Sequence, residues 1–212
     1  MERLARKIAE SVGANLQKTD QEIAVMAYGL IGILQFMAIF ILSSIISLIF
    51  GFWFESLIVF LSVGFLRRLT GGAHSAGIYS CLVYSTVFVC GISAISVYLL
   101  PKVDFFINLL ICFLIFAFGY VMIALKAPVT PPNKPCRTEE KRKRLRKGSF
   151  IVLTLFLVTV VCFMIARSLH SVFYSCGLAL ALSTLWQISM MTKPGHIFIE
   201  SMDKIFISKK QN

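Results

Sequence analysis

Six stretches of the chain carry few or no charges: residues 23–50, 56–66, 78–100, 105–125, 149–166 and 169–191. They are unbroken apolar runs rather than the ten-residue alternation of a membrane β-barrel, so each predicts a helix crossing or entering a bilayer. Four of them, 78–100, 105–125, 149–166 and 169–191, have the roughly 17–25 residues that a crossing needs, and 23–50 is long enough to tilt. The run at 56–66 is short. It starts after Glu55 and is followed by Arg67 and Arg68, so it either borrows depth from Phe52, Trp53 and Phe54 or forms half of a re-entrant hairpin. The pattern thus predicts an all-α, polytopic integral membrane protein of about six membrane-embedded helices, one or two of them re-entrant rather than crossing.

Six crossings with a cytoplasmic N-terminus place nineteen Lys and Arg inside and leave only Lys102 and Arg167 outside. Two re-entrant segments preserve the same sidedness. The N-terminal 20 residues read separately: Leu4, Ile8, Val12 and Leu16 recur every four positions among Arg3, Arg6, Lys7 and Lys18, which predicts an amphipathic helix. Such a helix lies on an anionic leaflet or caps the bundle. It lacks the short apolar core and small-residue cleavage site of a removable signal peptide.

Composition agrees with this pattern. The 212 residues are 58% hydrophobic and 15% charged, with mean hydropathy +0.83, far from soluble averages of about 45–50% and 25%. The net charge of +11 therefore describes membrane-flanking loops rather than a nucleic-acid binder. The length allows a single membrane domain, 1–212, and leaves no room for a separate catalytic domain.

Of the six cysteines, Cys90, Cys112, Cys162 and Cys176 lie inside apolar runs, where a thiol is a small hydrophobe, and Cys136 lies in a predicted cytosolic loop. No zinc-type spacing occurs, so no metal is expected. Cys81 closes a different stretch, 67–81, where Arg67, Arg68, Gly71, Gly72, His74 and Gly77 gather between two apolar runs. Ionisable groups at a membrane boundary are costly and tend to mark function. On one continuous helix His74 and Cys81 would be about 10.5 Å apart along the axis, too far for proton transfer. A catalytic pair needs a break, which Gly77 can provide, placing His74 on a loop spanning 67–77 and Cys81 in the first turn of the next helix. A helix N-terminus and a neighbouring imidazolium both favour the thiolate that a nucleophile needs. The alternative is a tight loop whose His caps a helix and whose Cys packs.

A second basic loop, 126–147, holds Ala127, Pro128 and Val129, then Asn133, Lys134 and Pro135, then Lys141, Arg142, Lys143 and Arg144. It reads as a topology determinant on anionic lipid or as a docking surface for an acidic peptide. The last segment, 192–212, reads as a cytoplasmic tail. None of the ten Asp and Glu falls in the middle of an apolar run, which argues against a proton-coupled transporter.

The pattern R-x(4)-G-x-H-x(6)-C, filled by Arg67, Gly72, His74 and Cys81, together with Ala127 to Val129, Asn133 to Pro135 and the hydropathy of nearly the whole chain, resembles the accessory gene regulator B (AgrB) family of bacterial membrane endopeptidases. The resemblance implies Cys81 as nucleophile, His74 as its base, and Arg67 and Gly72 as residues shaping the site, to which the break at Gly77 adds. It implies an AgrD-like propeptide partner whose C-terminal tail is cut off through a thioester, giving a cyclic thiolactone without a cofactor. Asn133, Lys134 and Lys141 to Arg144 are the candidate substrate contacts. Glu22, on the same expected face, is a candidate for orienting His74 or touching the substrate, beside the simpler reading of a carboxylate at a helix N-terminus. So short a chain has little surface for shielding a peptide, so a homodimer in contact with membrane lipids is expected, in the bacterial cell membrane with a cytoplasmic active site. A transporter or a non-catalytic lipid-binding scaffold is the alternative.

Overall fold

In a bilayer every backbone N–H and C=O must be satisfied within its own segment or buried in protein, and the long apolar runs do this as helices. The computed structural model describes residues 2–72, 77–129 and 138–208, the last four by backbone alone. These residues form eight α-helices: α1 (Glu2–Asn15), α2 (Asp20–Phe50), α3 (Trp53–Thr70), α4 (Ile78–Ala94), α5 (Phe105–Lys126), α6 (Glu139–Ile165), α7 (Ser171–Ser189) and α8 (Lys193–Ser208). A π-helical turn, Ile95–Leu99, and a 3₁₀ turn, Leu100–Lys102, prolong α4, and a 3₁₀ turn, Ala166–Ser168, prolongs α6. Among the described residues five helices are long and apolar enough to cross a membrane: α2, α4, α5, α6 and α7, with α4 and α6 counted through these turns. The chain is an all-α, multi-pass membrane protein.

Three segments differ from the sequence reading. Of the two readings of the run at 56–66, the one that borrows depth from Trp53 and Phe54 matches α3, but Arg67 and Arg68 do not stop it: the helix continues through both to Thr70, where cations in a last turn complement the helix dipole, and the loop expected over 67–77 begins only after it. The basic segment 126–147 is not a loop throughout. Lys126 ends α5 and the chain is helical again from Glu139, where two glutamates occupy the first turn and no Gly or Pro interrupts the Lys, Arg and Leu up to Lys147. The segment 192–212, read as a tail, contains the helix α8.

Between lipid-bathed helices, association depends on close packing and interhelical hydrogen bonds, since Leu gains nothing by leaving lipid for protein. That selects α7 as the centre. Its Ser175, Gly177, Ala179, Ala181, Ser183, Thr184 and Gln187 are buried, and it packs against α3, α5 and α6. Ser183 and Ser62 of α3 share a hydrogen bond of 2.6 Å, and Ser175 donates to the buried carboxylate of Glu55 at the other end of α3. α5 comes close at Gly119, where a Cβ would sit 2.7 Å from Ile188 Cδ1. Asn108 ties the irregular end of α4 to this core, its amide donating to Leu100 O and to Tyr174 Oη, each at 2.8 Å.

α1 packs on α2 through its small residues, with Ala5, Ala9 and Gly13 buried. Leu4, Ile8, Val12 and Leu16 face outward. The helix thus packs on α2 by its small residues and turns its apolar stripe away from it.

A candidate active site at the start of α4

α3 ends at a turn held from two sides. Gly71 (φ 70, ψ −146) and Gly72 (φ 128) both take positive φ, conformations that side chains resist. Gly71 forms a single parallel bridge with Val129, whose N–H donates to Thr70 O at 2.8 Å. From the opposite side Gln187 of α7, with 0% of its surface exposed, donates from Nε2 to Gly71 O at 2.8 Å and to Thr70 Oγ1 at 3.1 Å. The Ala127 to Val129 element thus completes the turn that leads from Arg67 toward His74.

The break at Gly77 is present. Gly77 is the extended residue (φ −98, ψ 134) before α4, and Cys81 N–H donates to Gly77 O at 3.0 Å, which places Cys81 in the first turn. Ser85 Oγ lies 3.9 Å from its Sγ. Arg67 and Cys81, fourteen residues apart in sequence, line one cavity of about 40 Å³ and are close enough to interact electrostatically. Its remaining walls are Tyr84, Ser85 and Phe88 of α4, Trp186 of α7, Met190 just beyond it, and Ile199 of α8. Phe88 and Trp186 stack with ring centroids 3.7 Å apart, and Phe198 meets both rings edge-on. A thiol, a cation and an aromatic wall therefore share one small space. His74, Asn133 and Lys134 lie outside the described residues.

The basic residues of α6 divide between two faces. Lys141, Arg144 and Lys147 line a cavity of about 740 Å³ together with Leu69 of α3, two residues beyond Arg67. Arg142, Lys143 and Arg146 line a separate cavity of about 180 Å³ with Glu139. Glu22 sits at the start of α2. It closes a capping box with Thr19, accepting from Thr19 N–H at 3.0 Å, and pairs with Lys18 at 2.9 Å, as the simpler reading of that residue expects.

Sequence reasoning missed α8, whose residues reach the first turns of α4. Asp203, 7% exposed, lies 2.9 Å from Ser80 Oγ, and Tyr84 Oη donates to Met202 O at 2.6 Å. The signal was a lone carboxylate on an apolar helix face, with Ile199, Met202 and Asp203 at spacings of three and four.

Comparison with known proteins agrees. The family model for accessory gene regulator B matches residues 4–191. A protein of Clostridium perfringens (strain SM101 / Type A), named AgrB-like, is 31% identical over 206 residues and 96% of each chain. A second AgrB-like protein, of C. perfringens (strain 13 / Type A), is 30% identical over 212 residues and 96% of each chain. An AgrB-like protein of Halalkalibacterium halodurans is 27% identical over 158 residues, 74% of this chain and 76% of its own. No solved structure matches. With the R-G-H-C pattern in its sequence, five helices able to cross a membrane, and a family match over nearly its whole length, the chain belongs to the accessory gene regulator B family of quorum-sensing membrane proteins.

Proposed function

We propose that this protein is a membrane cysteine endopeptidase that removes the C-terminal tail of an AgrD-like propeptide and passes the remainder on as a thioester for cyclisation. The observation that carries the reading is the convergence of Arg67 and Cys81 on one cavity at the start of α4.

In this mechanism Cys81 Sγ attacks the scissile carbonyl while His74 takes the thiol proton. The guanidinium of Arg67, across the cavity, favours the negative charge carried first by the thiolate and then by the tetrahedral oxyanion. As that intermediate collapses the C–N bond breaks, His74 returns the proton to the leaving amine, and the tail departs. The propeptide stays joined to Cys81 as a thioester, which Phe88, Trp186 and Met190 shelter from water. A cysteine of the propeptide then attacks the thioester carbonyl, the new C–S bond closes the ring, and Cys81 regains its proton. One thioester replaces another, so the exchange needs no ATP, and loss of the tail draws it forward. A serine at that position gives a lactone.

Tail recognition falls to the α6 face that adjoins α3. Lys141 and Arg144, with Lys147, present fixed positive charge beside Leu69, where an acidic tail is attracted and oriented. The excess of basic residues on one side of the crossings supports a cytoplasmic site.

Co-expression with the propeptide, followed by mass, tests the reading. Cys81→Ala is expected to abolish tail release with insertion intact, whereas Cys90→Ala and Cys112→Ala retain it. Normal tail release by the Cys81 variant overturns the mechanism.

A further inference from the structure

α4 and the π-helical turn that prolongs it carry five Ser and Thr residues. Four of them give their hydroxyl proton to a carbonyl three or four residues back along the chain: Ser80 to Gly77 O at 3.0 Å, Thr86 to Leu82 O at 2.9 Å, Ser93 to Val89 O at 2.7 Å and Ser96 to Ile92 O at 2.8 Å. That is the ordinary way for a hydroxyl in a helix to be satisfied. Ser85 is turned differently. Its Oγ lies 3.9 Å from Cys81 Sγ, four residues earlier and so on the same helix face. Both side chains line the cavity that Arg67 also lines. The other hydroxyl of that wall, on Tyr84, is given to Met202 O.

A neutral thiol is a weak acceptor, whereas a thiolate accepts a charge-assisted bond that is shorter and stronger. The Ser85 contact therefore gains when the sulfur ionises. We propose that Ser85 is a catalytic residue of this site, its hydroxyl donating to the Cys81 sulfur whenever that sulfur is charged. This rests on the cysteine-protease reading above and adds a partner for the thiolate on the nucleophile's own helix. Ser85 keeps its proton throughout. In the first step the sulfur's electron pair forms the bond to the scissile carbon and the charge passes to the carbonyl oxygen, so the hydroxyl loses its anionic partner. In ring closure the propeptide's thiolate forms the new C–S bond, the bond to Cys81 breaks, and its electron pair returns to Sγ, where the hydroxyl meets it again. The proton shed by the propeptide thiol is the one Cys81 regains. Stabilising a thiolate makes it more abundant but less nucleophilic, and makes it a better leaving group. The first two effects offset each other in cleavage, while the third acts unopposed in ring closure, so Ser85 serves the second step more than the first.

Two measurements on the full chain in nanodiscs test this. The first is alkylation of Cys81 by iodoacetamide without propeptide, followed by peptide mapping across a range of pH. Ser85→Ala is expected to move the midpoint of that profile up by about one pH unit, a tenfold change in the thiolate equilibrium. Ser85→Thr, which keeps the hydroxyl, stays near wild type. Thr86→Ala, which loses a hydroxyl bonded to Leu82 O, leaves the midpoint where it is. Alanine favours a helix and the change removes one oxygen, so insertion is expected to be normal. The described charged and titratable groups around the cavity stay in place in every variant: Arg67 of α3, Tyr84 of α4, and His196, Glu200, Asp203 and Lys204 of α8. α2 meets the start of α4 through the neutral Gln35, and α7 lines the cavity through Trp186. The second measurement is the share of enzyme carrying the propeptide on Cys81 during turnover, which is expected to rise several-fold in Ser85→Ala as ring closure slows more than tail release. A midpoint unmoved by Ser85→Ala, or moved as far by Ser85→Thr or Thr86→Ala, overturns the assignment, and so does an adduct that does not build up; each leaves the cysteine-protease reading standing. Normal tail release by Cys81→Ala overturns that reading instead.

Discussion

Replacing Gly71 by alanine tests whether the turn after α3 is what presents the site. The added Cβ would lie 1.9 Å from Val129 O, whereas ordinary contact starts near 3.4 Å, so the two backbones must separate by about 1.5 Å. Holding alanine at φ 70, ψ −146 costs about 1–3 kcal/mol. Pushing Val129 away also breaks the 2.8 Å bond from its N–H to Thr70 O, leaving a carbonyl unsatisfied at about 1–3 kcal/mol. The sum, about 2–6 kcal/mol, approaches the lower end of a typical folding stability of about 5–15 kcal/mol, so the turn gives way locally rather than the bundle unfolding. If the displaced turn is favoured by even about 2 kcal/mol, the competent population falls roughly 30-fold. The expected result is normal insertion with kcat/KM for tail release reduced at least about 30-fold. Gly51→Ala is the matched control: φ is 75 there too, but nothing lies within 4 Å of the new Cβ, so about 1–2 kcal/mol of backbone strain is its only cost, and processing is expected to be normal. Processing by Gly71→Ala within twofold of wild type refutes the argument that this pinned turn positions the site.

Two further outcomes follow from the same geometry. Charge reversal at Lys141 and Arg144, which share a cavity with Leu69, is expected to raise KM for the propeptide several-fold and more so with added salt, whereas reversal at Arg142 and Lys143, on the other cavity, changes it little; equal effects from the two pairs contradict a single docking face, and loss of turnover at saturation makes α6 part of the catalytic structure. A variant keeping Cys81 as its single cysteine is expected to resist a membrane-impermeant maleimide in intact cells and to react in inverted vesicles, and the reverse pattern contradicts the cytoplasmic placement.

What the chain states plainly is what the bilayer enforces. α2, α4, α5, α6 and α7 are legible because each buries its own hydrogen bonds and stays apolar for a membrane's thickness. α3 is harder to read because Glu55, Arg67 and Arg68 fall within its 18 residues, and hydropathy does not register that Glu55 finds a hydroxyl on Ser175. The start of α6 is hidden because dense charge reads as loop, although 139–147 contains no helix breaker, and α8 because Pro194 and Gly195 at its start read as a turn. In the site, Gly77 and Cys81 are accessible from local geometry alone, since a break is the only way to bring a residue before it near one after it. Gln187 and Asp203 are not, because each acts on a segment more than a hundred residues away, a distance that no periodicity spans. The clue for Gln187 is its company: a run of Ser, Gly, Ala and Thr in a transmembrane helix marks close packing, and an amide there needs partners.

The most direct test of the central claim is the mass of the enzyme during turnover. A propeptide whose ring-forming cysteine is replaced by alanine can be cut but not cyclised, so the thioester has no internal acceptor and accumulates. The full chain in nanodiscs, quenched in acid, is expected to gain the mass of the propeptide minus its tail. Peptide mapping is expected to place the adduct on Cys81, and hydroxylamine to remove it. Stoichiometric tail release without any adduct, or an adduct on another residue, contradicts covalent catalysis by Cys81.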